Sequence, residues 1–179
     1  MSKAALRYLV IPLFLFSVCC SACAHQLKPA AGGSYSDPKG YFEVSIPWPK
    51  GHLRGNGWQW LSWKGVDFVL WDLGTGATIV VDVNPLKEDL DLVTLTTHLL
   101  IAFEGKRIIS RDTDKIDGRE ALKTVLEAWV EGTEITAEVY VVQGQGVCYD
   151  IMFWAPRDAF PRQVETFHQL LPSIHFLQP

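Results

Sequence analysis

The chain is poor in cysteine, in basic charge and in long apolar runs, and each shortage removes a class of protein. Only four of its 179 residues are cysteine, and three of them, Cys19, Cys20 and Cys23, fall within the first 23 positions. A small disulfide-stapled scaffold is therefore excluded. Lys and Arg number 16 against 20 Asp and Glu, a formal charge of −4. The basic stripe that phosphate backbones demand is missing, so nucleic acid is not an expected partner. No apolar run approaches the roughly 20 residues of a spanning helix. The apolar share is 48% and the aromatic share 12%, ordinary values for one globular domain of about 150 residues.

The N-terminus reads as targeting. Residues 1–7 carry Lys3 and Arg7 and no acid, and a thirteen-residue apolar run, 8–20, follows. That length suits the h-region of a signal peptide. Two cleavages are open. Ala22-Cys23-Ala24 is an A-x-A site that would release a chain starting at His25. Ser21-Ala22-Cys23 instead resembles the end of a bacterial lipobox, although Cys20 stands where an aliphatic residue is usual. This second reading leads. It makes 1–22 a signal peptide and Cys23 an N-terminal residue carrying fatty acyl (palmitate-type) chains, with the membrane as a partner through that lipid. The enterobacterial sorting rule, read on Ala24, implies the outer membrane, with the domain facing the periplasm. Either cleavage leaves Cys148 as the last cysteine able to form a disulfide, so it has no partner and is expected to be a buried thiol.

Residues 23–40 are rich in Pro, Gly and small residues and read as a linker that could span about 20–25 Å. A single domain is expected over 41–179. Phe42, Val44 and Ile46 alternate with polar residues as a half-buried strand does. Further strands are expected at 58–63, 66–71 and 77–83, each bounded by Gly, Asn or Pro turns. Leu92, Leu95, Leu99 and Phe103 then share one helical face, with Asp89 or Asp91 as cap and Gly105 as the end. Strands resume at 106–110, 120–130, 134–142 and 147–154. A last helix presents Phe160, Val164, Phe167 and Leu171, with Asp158 as cap, and a tail, 173–177, returns to the sheet. The fold class expected is α+β, an antiparallel sheet with helices packed on it.

Two blocks carry a family resemblance. One is the strand Gly40-Tyr-Phe-Glu-Val-Ser-Ile-Pro47. The other is the closing order of aromatic strand, Ala155-Pro156, Phe160, amphipathic helix and Ser173-Ile-His-Phe176. Together they resemble the PsbP-like α/β/α sandwich of photosystem II extrinsic proteins and many bacterial lipoproteins, over residues 40–176. The resemblance implies a role in binding or assembly and brings no catalytic motif.

Candidate sites are few. Five of seven tryptophans lie between positions 48 and 71. Trp48, Trp58 and Trp60 are the candidate binding surface, although large rings enter cores more often than sites. The run Asp112-Thr-Asp-Lys-Ile-Asp-Gly118 fails the calcium-loop test, because Ile116 and Lys123 occupy ligand positions. It reads as a hairpin turn. His168 and His175 are seven apart, unlike the spacing of zinc pairs, and H-E-x-x-H and Gly-x-Ser-x-Gly are absent. No catalytic, metal or cofactor residue is expected. The leading function is a lipid-anchored, non-catalytic envelope protein that binds a protein partner or aids assembly of an envelope complex. The alternative is a periplasmic ligand-binding domain or hydrolase with a Trp-lined cleft.

Overall fold

The runs Thr78-Ile-Val-Val-Asp-Val83 and Val147-Cys-Tyr-Asp-Ile-Met-Phe-Trp154 are almost unbroken apolar stretches, the pattern of strands covered on both faces. A computed structural model of the chain describes residues 28–29, 33–46, 57–130 and 132–177; Cys23 and Trp48 lie outside them. Its elements are β1 (Lys28–Pro29), β2 (Ser34–Ser36), β3 (Phe42–Ser45), β4 (Trp58–Trp60), β5 (Phe68–Asp72), β6 (Thr78–Pro85), α1 (Leu92–Leu100), β7 (Glu104–Ile116), β8 (Arg119–Val130), β9 (Thr133–Gln143), β10 (Val147–Pro156), α2 (Phe160–Leu170), a 3-10 turn at Leu171–Ser173 and β11 (Ile174–Phe176).

Eight strands form the main sheet in the order β1-β4-β5-β6-β10-β9-β8-β7, all antiparallel. After β6 the chain passes through α1 to the far edge, and the meander β7-β8-β9-β10 brings it back against β6. Successive side chains alternate between two cores. On one face Leu95, Leu99 and Leu100 of α1 pack over Val139, Val141 and Met152. On the other, Phe153 stacks on Phe167 of α2 with centroids 5.3 Å apart, and Phe42 and Val44 of a second sheet complete the layer. That second sheet has the order β11-β3-β2.

Several expectations change. The linker boundary at residue 40 is too late: β2 pairs with β3 and β1 with β4. For β2 the anchor is Tyr35, whose ring packs on Phe42, Trp60 and Phe68. Helix α1 is capped by Asp91, whose carboxylate accepts from Thr94 N at 2.8 Å. It ends at Leu100 rather than at Gly105, because Ala102 and Phe103 donate to carbonyls three residues back, a tightened turn that still buries Phe103. Asp158 does not cap α2. The cap position is Ala159, buried and without a side-chain bond, with proline in the first turn. The tail strand β11 joins β3 in the small sheet, not the main one. Strand β7 runs thirteen residues rather than five. Its charged side chains and two register shifts blunt the sheet edge against further pairing.

Candidate functional site

Strand β9 alternates Ala137, Val139 and Val141 toward α1 with Glu138 and Tyr140 toward α2. An acid on the inward face of a covered sheet must find partners or lose its charge. Glu138 is only 4% exposed and its Oε1 has three. Tyr140 OH donates to it at 2.8 Å, Lys123 Nζ of β8 lies at 3.1 Å, and His168 Nε2 of α2 lies at 2.8 Å. Lys123 stands opposite Tyr140 in the β8–β9 register and its ammonium sits 5.5 Å from that ring. The register and the docking of α2 thus converge four polar side chains from three elements.

Lys123, Tyr140 and His168 border a cleft of about 500 Å³ whose lining also includes Asp114, Lys115, Ile116, Leu171 and Pro172. An apolar wall with a few convergent polar groups is what binding clefts offer. Burial, and then the facing Glu138 charge, push the Tyr140 phenol far above its ordinary value. It therefore stays protonated and donates to Glu138. The turn that closes the cleft is held from behind. Asp117, at φ 48°, accepts from Phe176 N at 2.8 Å and lies 3.2 Å from His175 Nδ1. Burial alone would raise the Asp117 carboxyl, but these contacts hold it below the usual range.

A second polar cluster lies on the opposite face. Asp82 of β6 and Asp150 of β10 are directly opposite in register, and both are buried. Asn84 Nδ2 reaches Asp150 Oδ2 at 2.9 Å and Asp82 Oδ2 at 3.3 Å, and Cys148 Sγ donates to Asp150 Oδ1 at 3.4 Å. Burial first, and then a neighbouring aspartate charge, raise Asp82 to about 6 and Asp150 to about 7. The same burial, followed by the Asp150 charge, pushes the Cys148 thiol up. Among the described residues no group of three or more His, Cys, Asp or Glu could hold a metal ion.

Comparison with solved structures identifies the architecture. The solution structure of cyanobacterial PsbP (CyanoP) from Synechocystis sp. PCC 6803 superposes with a TM-score of 0.59 at 18% identity, covering 87% of this chain and 98% of that one. LpqN, involved in cell envelope biogenesis of Mycobacterium tuberculosis, gives 0.58 at 13%, covering 87% and 92%. The fold is PsbP-like. No family model and no curated protein matches the sequence.

Of the three candidate tryptophans of this PsbP-like domain, Trp48 lies outside the described residues. Trp58 belongs to the core, 6% exposed, because the small sheet covers that face. Trp60 is half-buried, edge-on to Tyr35 and Phe68. Neither lines the cleft. The exposed tryptophan among the described residues is Trp129, at 49%, on β8 and beside Gly105. Cys148 is a buried free thiol, as expected. Lys123, Glu138, Tyr140 and His168 were not foreseen as a group. Their one visible signal is an acid inside a strand whose neighbours are apolar on both faces; Asp82, Glu138 and Asp150 all show it.

Proposed function

We propose that the protein is a cell-envelope component tethered by lipid on Cys23, and that its PsbP-like domain binds a protein partner in the Lys123–Tyr140–His168 cleft rather than catalysing a reaction. The observation that carries this reading is the state of the polar groups at the site. Glu138 Oε1 is occupied by three internal partners, and the Tyr140 phenol is held protonated. The Cys148 thiol is buried on the far face and also held protonated. A site whose acid oxygen is held by three internal partners in this way is arranged to present a fixed surface rather than to exchange protons with a substrate. The mixed charges of Asp114 and Lys115 beside an apolar wall suit a peptide segment of a partner. A role in the envelope is further supported by the likeness in fold to LpqN and by the basic start, apolar run and Ala22-Cys23 of the sequence. Among the described residues no helix is long and apolar enough to cross a membrane.

The ligand-binding alternative keeps one observation in its favour, a cleft within the size range of small-molecule sites, though tryptophan does not line it. Two measurements on intact cells test the proposal. A clickable fatty acid should label the wild-type chain and not Cys23→Ala. A photocrosslinking residue at Lys115 should capture one defined protein, whereas the same residue at exposed Glu88 should not. An unlabelled chain that begins at His25 would sink the anchor. Equal capture from both positions would sink the cleft as the docking site.

A further inference from the structure

The buried aspartates on the α1 face have no part in the cleft and need their own explanation. Asp82 and Asp150 face each other across adjacent central strands, and one amide, Asn84, bridges them. Asp67, next before β5, stands beside Asp82. Its Oδ2 accepts from Val83 N at 3.1 Å, and its charge acts on Asp82. Three carboxyls therefore lie in a row across β5, β6 and β10. The one cation acting on Asp82 among the described residues is Lys39, and that lysine is hydrogen-bonded to Asp67. Among the described residues packed on this face, the other side chains are apolar, exposed or already bound. α1 turns Leu95, Thr96, Leu99 and Leu100 inward and leaves His98 exposed. Leu61, Trp63, Val66 and Leu86 pack there as apolar groups, Asp89 is bound by Gln143, and Cys148 donates to Asp150. Two buried carboxylates facing each other across one bridging amide, with no cation bonded to either among the described residues, cannot both hold charge cheaply; the stable arrangement keeps a proton on one of them.

We infer that Asp82 and Asp150 share a proton, and that its loss loosens the segment 61–67 over the sheet, making this element a pH-responsive latch. The coupling runs through Asp67. It ends the covering segment, which packs Leu61, Trp63 and Val66 on the apolar face, and its carboxylate holds the N–H of Val83, next to Asp82. When both carboxyls ionise, Asp82 gains by turning out to water, and the segment must lift to let it. The pair loses one proton to solvent and no other bond forms or breaks. The latch is closed in mild acid and loosens above neutrality. This inference stands apart from the partner-binding cleft, which lies on the other face.

The test is hydrogen–deuterium exchange of the full chain in detergent at pH 5 to 8, corrected for intrinsic exchange, with β9 amides as reference. The wild-type amides of 61–67 should open on the order of tenfold more at pH 8 than at pH 5, one decade per unit of proton linkage. Asp150→Asn, which supplies the shared hydrogen permanently, should remove that dependence. Asp82→Asn should do the same and serves if the first variant does not fold. A wild-type segment with no pH dependence relative to β9, or variants that retain the wild-type dependence, would overturn the inference.

Discussion

Phe153 shows how much one side chain can hold together here. It has no exposed surface and its ring contacts Phe160 and Phe167, both with centroids 5.3 Å away. Phe153→Ala would leave a void between β10 and α2, and a loss of about 3–5 kcal/mol is expected in urea unfolding. Gly144 makes the opposite point. A Cβ there would stand 2.8 Å from Tyr149 Cε2 and 3.0 Å from both Arg119 and Val147 side-chain atoms. Gly144→Ala should cost about 1–3 kcal/mol through overpacking. Cys148 is legible from sequence as an apolar-strand thiol without a partner, and the structure adds that burial and Asp150 raise its thiol. Peptide mapping after alkylation should find it unmodified in native protein and modified in urea, and a reductant should leave the domain's unfolding unchanged.

At the scale of elements, the contrast between the two helices is the useful one. α1 begins on Asp91, which binds both Thr94 N and Thr94 Oγ1; α2 begins on a buried alanine with no such bond. Asp91→Ala should therefore fray the first turn of α1, seen as faster amide exchange at Thr94, while α2 is unaffected. The β7–β8 turn is tied to β11 by Asp117 through His175 and Phe176 N. Its carboxyl is held below the ordinary range, so the stability it adds is present above that range and is lost as pH falls through the folded value. Asp117→Ala should speed exchange at Phe176 amide, and Asp117→Asn, which keeps an acceptor and tolerates positive φ, should largely preserve it. The motif Asp117-Gly118 was readable as a turn; its grip on a strand 59 residues away was not.

For the molecule as a whole, the buried aspartate pair sets the expected pH profile. Both carboxyls are raised in the folded state, to about 6 and about 7, against roughly 4 in an unfolded chain. A raised folded value means the contribution is complete below about pH 4 and declines as pH climbs through 6 to 7. Asp117 opposes this at the acid end, so urea midpoints should peak in mild acid and fall toward pH 8. Asp150→Asn should flatten the upper limb. If the wild-type midpoint instead rises steadily to pH 8, the two carboxyls are not the buried, facing pair described.

The sequence by itself determined most of the strands and both helices from Phe42 onward, because the two periods and the turn residues are local properties; β1 and β2, too short to show a period, it did not. It also determined that Cys148 is buried, and the ordering of its elements carried the PsbP-like resemblance. Only the tertiary structure decided which strands meet. Period two assigns a face but names no neighbour, so nothing local says that β10 pairs with β6 across the β7–β9 meander. That pairing alone brings Asp82 to Asp150. It was also the docking of α2, and not any motif, that set His168 against Glu138 thirty residues away. Whether Trp58 was core or candidate surface stayed open in the sequence for the same reason: the small sheet that covers it joins β3 to β11 from opposite ends of the chain, and such long-range closure leaves no mark on the local pattern.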